Sequence, residues 1–498
     1  MRKIIIGVVA GWLAGAAGVL AQMPASPYSP LTQYSQIYSG NDNQGYEEQR
    51  VQTMYRPPKQ GANYNYTGTG NAATADMAPA PGNAPTYLNC GGRCANGNCG
   101  QSACGNCNSG NTCGGCNTNN SCGGCNSCQQ GGCPCGPCGP EGCVWFSAEY
   151  LMYWVTGQNL PPLVTASPAG TPQASAGQLN MPGTTILAGG NRVFTGMHSG
   201  VRARLGAWLD DCNMFGIEGS VTYLGADRLF FDHCMCDANG IVARPFIDVN
   251  PAVNRTNAEF VCFPGVVNGG VIVTGRTEYY GADANLRRNL ICGENMRIDV
   301  IGGYRFLSLT DRVNVQENLV SLLGGAVGST IQVNDRFATD NRFHGGQLGL
   351  AGEIRGGKMF VDWRGTCALG AAIETVRIDG NTIFTSPGAA SVIVPGGLLA
   401  QPSSIGTYHS TDFGVVPEAN INVGADLTPH IRVFVGYTFL YWRPVVRAGD
   451  QINTVVNSSQ LPTAAGPGTL TGPAQPSFQF HRTDFHMQGI GLGAQLRF

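Results

Sequence analysis

Charged side chains recur at every second position in several stretches between Val144 and Phe498. Arg202 and Arg204 form one such pair, and Arg297 and Asp299 form another. Because side chains two residues apart lie on the same face of a β-strand, these stretches predict strands with one polar and one apolar face. The polar faces carry seven carboxylates and seven arginines, which are the candidate lumen-lining residues: Glu149, Arg202, Arg204, Glu218, Asp283, Arg287, Arg297, Asp299, Arg305, Glu353, Asp362, Arg364, Glu418 and Arg432.

Two kinds of chemistry follow from this balance of charge. If the strands close into a narrow barrel, opposite charges face one another across the interior and pair. They would then fill the lumen and leave at most a small, weakly ion-selective pore. Alternatively, the charges are unpaired and are hydrated by water in an open lumen, because an unpaired charge is too costly in a dry core. The residue pattern leaves both alternatives open.

A second group of reactive residues lies in the segment 90–143, where fourteen cysteines are spread among Gly, Asn, Ser and Pro. Cys-x-x-Cys spacings recur, for example at Cys104 and Cys107, but the spacers between them are irregular and the segment contains no histidine. Regular pairs would indicate zinc. In an exported chain we therefore expect disulfides, within the segment or to other envelope proteins, and no metal or cofactor.

Outside that segment, Cys212 and Cys292 fall in two short turns on the same predicted side of the barrel. They form either a disulfide or two free thiols. His481, Asp484 and His486 cluster before the last predicted strand, and Asp–His pairs can act as general bases. No nucleophile elbow or zincin motif accompanies them, so we expect that the chain is not an enzyme and has no catalytic residue.

The composition limits the class of protein. Charged residues make up 12% of the chain, against about 25% in soluble domains. The 29 Lys and Arg residues nearly balance the 31 Asp and Glu residues, so there is no overall field for nucleic acid and we expect no nucleic-acid partner. After the N-terminal segment, no stretch has the ~20 consecutive apolar residues of a membrane helix.

Composition also divides the chain before the barrel into three segments. Residues 1–21 combine basic Arg2 and Lys3 with an apolar stretch and a small residue at Ala21, which is the pattern of a signal peptide. An N-terminal membrane anchor is the alternative. Residues 22–89 are polar and without periodicity, which predicts a disordered linker. The Cys- and Gly-rich low-complexity segment 90–143 follows, and the predicted barrel spans 144–498.

From Val144 onward, ten stretches alternate between apolar and polar residues. The predicted short turns are Asp210–Asn213, Arg288–Asn295, Arg355–Lys358 and Asp426–His430, and the long connections are at about 155–200, 225–277, 308–342, 378–412 and 443–484. Short turns on one side and long loops on the other are typical of bacterial outer-membrane barrels. The sequence therefore predicts an all-β, antiparallel transmembrane β-barrel of about ten strands, with twelve as an alternative, in the outer membrane.

Aromatic residues lie near the ends of the apolar faces, as at Phe146, Trp154, Tyr437 and Phe439. A soluble β-sandwich also alternates, but it concentrates its large aromatic residues inside. Girdles of aromatic residues at both ends of an apolar face are expected where a barrel crosses the membrane interfaces. This placement favours the membrane barrel.

Several motifs occur in order along this region: Trp145-Phe146-Ser147-Ala148-Glu149-Tyr150-Leu151, Pro161-Pro162-Leu163-Val164-Thr165, Pro182-Gly183-Thr184-Thr185, Trp208-Leu209-Asp210-Asp211-Cys212 and Gly302-Gly303-Tyr304-Arg305-Phe306. Together they resemble the beta-barrel porin family seven, known mainly from planctomycete-type bacteria. The resemblance covers about Val144 to Phe498 and implies an outer-membrane β-barrel. It implies no substrate and no catalytic residue.

Two functions are compatible with these features, and the family resemblance and the barrel architecture favour the first. One is porin-like passive diffusion of small solutes through a narrow lumen. The other is a structural envelope protein anchored by disulfides of the Cys-rich segment, without significant transport. The expected partners are outer-membrane lipid, the barrel-assembly machinery and, through cysteines, other envelope proteins.

The last alternating stretch, Gln488–Phe498, ends in an aromatic residue, and we expect Phe498 to be the assembly signal. This stretch is predicted to pair with Val144–Trp154 and so to remove both sheet edges. Its inward positions include Gly489, Gly491 and Gly493. These glycines would leave one inner wall without side chains, along which we expect any solute path.

Overall fold

The computed structural model describes residues 142–498, except for 234–239, 294, 324–325 and 464–469. The predicted signal peptide (1–21), the predicted linker (22–89) and the Cys-rich segment up to residue 141 lie outside the described residues. Within the described part of the chain, no helix is both long and apolar enough to cross a membrane.

Ten of the eighteen strands in the described residues, numbered in chain order, form one closed ring. These are β1 (Val144–Val155), β6 (Met197–Trp208), β7 (Phe215–His233), β10 (Val267–Cys292), β11 (Met296–Ser321), β12 (Thr330–Gly356), β13 (Met359–Thr385), β15 (Gly406–Asp426), β16 (Ile431–Val446) and β18 (Arg482–Arg497). The ring order is β12-β11-β10-β7-β6-β1-β18-β16-β15-β13, and β12 pairs with β13 to close it. The predicted antiparallel barrel of ten strands is confirmed.

The two ends of the barrel sequence meet in this ring. Strand β1 pairs with β18 in a continuous register from Trp145 opposite Arg497 to Val155 opposite Met487, which is the predicted pairing. The Phe498 amide donates to the Val144 carbonyl at 2.9 Å, and the Phe498 carbonyl accepts from the Cys143 amide at 2.6 Å. The chain therefore enters and leaves the barrel at one end.

Alternation along each strand separates an inner and an outer surface. In β1, Glu149, Leu151 and Tyr153 are buried inside, whereas Tyr150 and Trp154 are exposed outside. A closed ring satisfies its backbone hydrogen bonds internally, so its outer face can be apolar and contact lipid. The outward apolar side chains of all ten strands form this lipid-facing surface.

Short turns join β6 to β7, β10 to β11, β12 to β13 and β15 to β16, all at the end where β1 begins. The tightest turn joins Gly356 to Met359, and Gly357 has a φ of +62° there. Glycine adopts this left-handed conformation without a steric cost. This end is called the short-turn end below, and the opposite one the long-loop end.

The wall of the barrel is much taller on one side than the sequence pattern indicated. Strands β10 to β13 have 26 or 27 residues each, whereas β1 and β6 have 12 each. The long connections expected at 225–277, 308–342 and 378–412 are therefore largely strand, and the predicted boundaries were wrong there. Beyond the lipid, outward residues become polar while inward ones such as Val313 and Phe337 stay apolar, which inverts the polarity of the two faces.

The remaining strands lie at the long-loop end. Strands β3 (Val164–Ser167), β4 (Thr185–Ala188), β8 (Ile241–Asp248), β9 (Arg255–Cys262) and β17 (Val455–Val456) form a second sheet, β2 (Gln158–Leu160) pairs with β5 (Asn191–Val193), and β14 (Val392–Pro395) pairs with β13. Two short 3-10 helices cover Gly449–Gln451 and Ser458–Gln460. An apolar core that includes Phe246 of β8 and Phe337 of β12 packs the second sheet against the inner face of the tall strands.

Candidate functional site

All fourteen predicted charged residues lie on the inner face of the ring, toward the short-turn end. Strand parity places them there: on β6, Arg202 is buried inside while the adjacent Val201 is 56% exposed outside. Those that form ion pairs are strongly enclosed, with side-chain exposures from 0% for Asp299 to 18% for Arg287. They form three groups and a few separate contacts.

The most enclosed group centres on Glu418 of β15. Its carboxylate pairs with Arg305 of β11 and lies 3.4 Å from Nη2 of Arg202 on β6. The Arg202 guanidinium also lies 3.7 Å from the Glu149 carboxylate and donates to the Thr438 hydroxyl at 3.3 Å. One buried carboxylate therefore connects arginines from two other strands of the wall.

A second group centres on Glu218 of β7 and Asp299 of β11. Arg287 bridges these two carboxylates, with Nε 2.6 Å from Asp299 and Nη1 3.4 Å from Glu218. Arg364 also pairs with Glu218, and Nε of Arg297 lies 2.8 Å from Asp299. Each carboxylate thus serves two guanidinium groups, the charge-assisted geometry in which arginine binds strongly.

The third group lies nearest the short-turn end, around Glu353 of β12. Arg432 and Arg497 approach its carboxylate to 3.1 Å and 3.5 Å. Arg432 also lies 3.0 Å from Asp426 and 3.8 Å from the centroid of the Phe360 ring. Arg497 is absent from the fourteen predicted residues, although its parity in the last strand matches that of the others.

Three predicted residues lie outside these groups. Asp283 accepts a hydrogen bond from Ser220 and lies 4.0 Å from Arg364. Asp362 accepts a hydrogen bond from Asn422 at 2.7 Å. Arg204 forms no ion pair with any residue that the structure describes, and its Nε is buried without a hydrogen-bond partner there.

A cavity at the short-turn end is lined by members of the second and third groups and by the separate residues Arg204 and Asp362. It has an empty volume of about 840 Å³, including its open mouth, and Arg204, Asp362, Arg364 and Trp145 are among its lining residues. The cavity does not reach through the barrel, because an apolar layer lies between it and the long-loop end.

This apolar layer consists of inward side chains from nine of the ten ring strands. Its members are Leu151, Tyr153, Val155, Leu224, Tyr279, Leu307, Leu309, Phe343, Ala368, Val416, Leu440, Trp442, Val445, Phe485 and Met487. The rings of Phe343 and Phe485 both pack edge-on against Trp442, each at a centroid distance of 6.4 Å. Trp442 and Phe343 are completely buried, so the layer closes the lumen.

The inner wall of glycines on β18 is part of this closure. A Cβ atom at Gly489 would lie 2.4 Å from the Tyr153 ring, and one at Gly493 would lie 2.4 Å from the Phe434 ring. The glycines therefore make room for large side chains of the neighbouring strands. The expected solute path along this wall was wrong, because that space is occupied.

Two further buried ionic groups lie at the long-loop end, in segments that the sequence pattern predicted to be long connections. Arg447 pairs with Asp311 at 2.5 Å. Arg244 of β8 pairs with Glu317 of β11 and lies 2.7 Å from Asp335 of β12. All these side chains are fully buried, and they fasten the second sheet and the chain after β16 to the tall strands.

One carboxyl of the Arg244 group is held near neutral charge. Burial raises the pKa of Glu317 to about 8, and the nearby Glu259 raises it further, against the opposing effect of Arg244. Burial also raises the pKa of Glu259, which accepts a hydrogen bond from Thr463 at 2.5 Å. Burial therefore favours the neutral form of both carboxyls beside Arg244.

The other predicted residues are separate from the lumen. Cys212 and Cys292 both lie at the short-turn end, and the bond between them stays a prediction. Phe498 is 68% exposed at the same end, and its role in assembly also stays a prediction. Asp484 lies 3.4 Å from Arg443, while His486 shares a hydrogen bond with Thr156 at 2.7 Å. Among the described residues, no cluster of His, Cys, Asp and Glu could hold a metal ion.

The family described as "Putative beta barrel porin-7" matches residues 145–498. The chain belongs to this family. No curated protein matches the sequence. Family membership and the closed ring with its lipid-facing outer surface together identify a porin-type β-barrel of the outer membrane.

Solved structures that resemble this barrel are remote. The outer membrane protease OmpT from Escherichia coli is 11% identical, with a TM-score of 0.32, and the match covers 71% of this chain and 97% of that one. A FadL homologue from Pseudomonas aeruginosa is 9% identical, with a TM-score of 0.18 and coverages of 71% and 90%. The toluene transporter TodX from P. putida is 8% identical, with a TM-score of 0.16 and coverages of 72% and 91%. At these values the similarity carries no functional argument.

Proposed function

We propose that this protein is a sealed outer-membrane barrel with a structural role in the cell envelope. The observation that carries the proposal is the apolar layer across the lumen. A hydrated solute would have to leave its water to cross that layer, which is costly for polar and charged groups. Since the layer consists of side chains of the wall strands themselves, displacing a loop would not open it.

The structural role rests on where the chain enters the barrel. Gly142 lies beside the backbone of Phe498 at the short-turn end, so the Cys-rich segment is attached to that rim. In the proposal, residues 1–21 direct export, Phe498 marks the chain for the barrel-assembly machinery, and the cysteines link the barrel to neighbouring envelope proteins. The barrel is the membrane anchor of this linkage and has no catalytic role.

Passive diffusion of small solutes is the second candidate. One observation favours it: the cavity at the short-turn end is polar and open, and Arg204 lacks an ion-pair partner among the described residues. A narrow path would then require the apolar layer to rearrange.

Conductance in planar bilayers separates the two candidates. The proposal expects no steady conductance from the purified barrel. The double variant Trp442→Ala/Phe485→Ala removes two rings from the apolar layer and should produce a steady conductance. The matched control Tyr437→Ala/Phe439→Ala alters two rings on the outer face and should stay closed. A large, ungated conductance of the unmodified barrel would overturn the proposal in favour of diffusion.

Electrophoresis of isolated membranes tests the linkage. The proposal expects oligomers under non-reducing conditions that collapse to a monomer on reduction. If the protein migrates as the same monomer under both conditions, the disulfide anchor is wrong.

A further inference from the structure

Six arginines follow the outer face of the tall wall, beyond the lipid-facing residues at the long-loop end. This arginine stripe consists of Arg228 on β7, Arg276 on β10, Arg312 on β11, Arg336 and Arg342 on β12, and Arg377 on β13. It is separate from the charged lumen, because strand parity directs these side chains outward. Arg342 and Arg377 are each 58% exposed.

Three arginines of the stripe lie side by side in a row across three neighbouring strands. Arg228 is the register partner of Arg276, and Arg276 is the register partner of Arg312. Like charges directly opposite across strands destabilise a sheet. Partial burial lowers the pKa of Arg312, and the adjacent Arg336 and Arg276 lower it further, against the opposing effect of Glu278 and Asp340. Such a row is electrostatically unfavourable unless an anion binds along it.

Carboxylates on the same face neutralise only half of the stripe. Glu278, Asp340 and Asp379 pair with Arg276, Arg342 and Arg377 respectively. Within the described residues, the side chains of the other three arginines form no ion pair. The stripe therefore carries an excess of positive charge on a surface that is continuous with the lipid-facing band.

The position of these arginines along the barrel axis indicates which layer of the membrane they contact. On β11 the outward residues are apolar or aromatic from Met296 to Phe306, and His344 of β12 stands opposite Phe306. Arg342 precedes His344 by two residues and so lies nearer the long-loop end, by about 5 Å in height at the usual strand tilt. That is within the lipid headgroup layer, roughly 5–8 Å thick on each side. Arg312 follows Phe306 by six residues, about 15 Å in height, and so lies above a simple headgroup.

We propose that the arginine stripe binds a phosphorylated glycolipid of the outer leaflet. Arginine forms paired hydrogen bonds with phosphate oxygens. A lipid that carries phosphates on a sugar headgroup offers anions both at the level of Arg342 and farther from the membrane, at the level of Arg312. A phospholipid with a single phosphate reaches only the lower level.

Binding to lipid A in nanodiscs tests the proposal, with nanodiscs of phosphatidylglycerol as the comparison. The full-length protein should bind lipid A more tightly than phosphatidylglycerol, and salt should weaken the binding. The variant Arg228→Gln/Arg276→Gln/Arg312→Gln should lose about a hundredfold in affinity for lipid A, at roughly fivefold for each arginine. The control Arg288→Gln/Lys358→Gln removes exposed cations at the short-turn end and should bind like the unmodified protein.

Heat-modifiable migration in electrophoresis establishes that each variant is folded. As a second readout, Arg228→Lys/Arg276→Lys/Arg312→Lys keeps the charge but loses the paired geometry, and its affinity should lie between those of the other two proteins. Equal binding of lipid A by the unmodified protein and the glutamine variant would overturn the proposal. Equal binding of phosphatidylglycerol and lipid A would overturn the assignment to a glycolipid.

Discussion

At the scale of single residues, the lumen shows how a barrel tolerates charge in its interior. Glu418 contacts two arginines and Asp299 contacts two others, so that few buried charges lack a partner. Removing one member of such a group leaves another charge buried without compensation, which costs more than the intact pair contributes. Arg204 provides the contrast, since it forms no ion pair with a described residue.

The first prediction follows from this contrast. Glu418→Gln should lower the free energy of unfolding by about 3–5 kcal/mol, because Arg202 and Arg305 then lack their shared carboxylate. Arg204→Met should change it by less than about 1 kcal/mol, since no ion pair is lost. Urea unfolding in lipid vesicles measures both. Equal effects of the two substitutions would contradict the description of the lumen.

At the scale of elements, we expect the attachment of the second sheet to the tall strands to depend on pH. The facing groups are Arg244 on β8, Glu259 on β9, Glu317 on β11, Asp335 on β12 and the hydroxyl of Thr463. The pKa of Glu317 is raised from 4.5 to about 8 in the folded protein. The contribution of Glu317 to the attachment of the second sheet is therefore complete below about pH 4.5 and is lost as the pH rises through about 8.

The second prediction concerns hydrogen exchange of the β8 amides. Corrected for intrinsic rates, their protection should fall between pH 5 and about 8 as Glu317 loses its proton. Glu317→Gln keeps a neutral side chain and should flatten this dependence. Glu278→Gln, which changes a partly exposed glutamate on the outer face of β10, should retain the unmodified profile. An unchanged pH profile in Glu317→Gln would show that another group controls docking.

Strand parity explains what could be predicted at this scale. Arg202 and Glu218 were assigned to the inner face because apolar residues alternate with them in a period of two. Leu151 and Tyr153 were not recognised as a seal, since β1 is apolar on both faces at that height and offers no contrast. Arg244 and Arg447 were missed because the segments around them lack a clear period, and their partners are distant in sequence.

At the scale of the whole molecule, we expect Phe498 to act in assembly and to contribute little to the stability of the folded barrel. Phe498 is 68% exposed and packs little against the folded barrel. An aromatic residue with so little contact adds little to the stability of the finished structure. Its expected role as an assembly signal is therefore separable from stability.

The third prediction is that a substitution at Phe498 impairs assembly in cells without lowering the stability of the folded barrel. Phe498→Ser should lower the fraction of the protein that reaches the heat-modifiable, membrane-inserted form in cells. The same variant refolded into vesicles should unfold within about 0.5 kcal/mol of the unmodified barrel. Phe215→Ser is the matched control, because Phe215 is 49% exposed at the same end and should assemble normally. Normal assembly of Phe498→Ser in cells would remove the role assigned to this residue.

The uneven height of the wall has a consequence for the order of events during biogenesis. Strand β18 is synthesised after the other nine ring strands, and it joins β1 over eleven register positions, whereas β12 and β13 meet over twenty-seven. The long hairpins between β10 and β13 link neighbours in sequence and so form early, while the junction of β1 and β18 links the two ends of the barrel sequence and forms late. We therefore expect strands β10 to β13 to pair before the ring closes. Closure then requires only the short β1–β18 pairing, which has few hydrogen bonds.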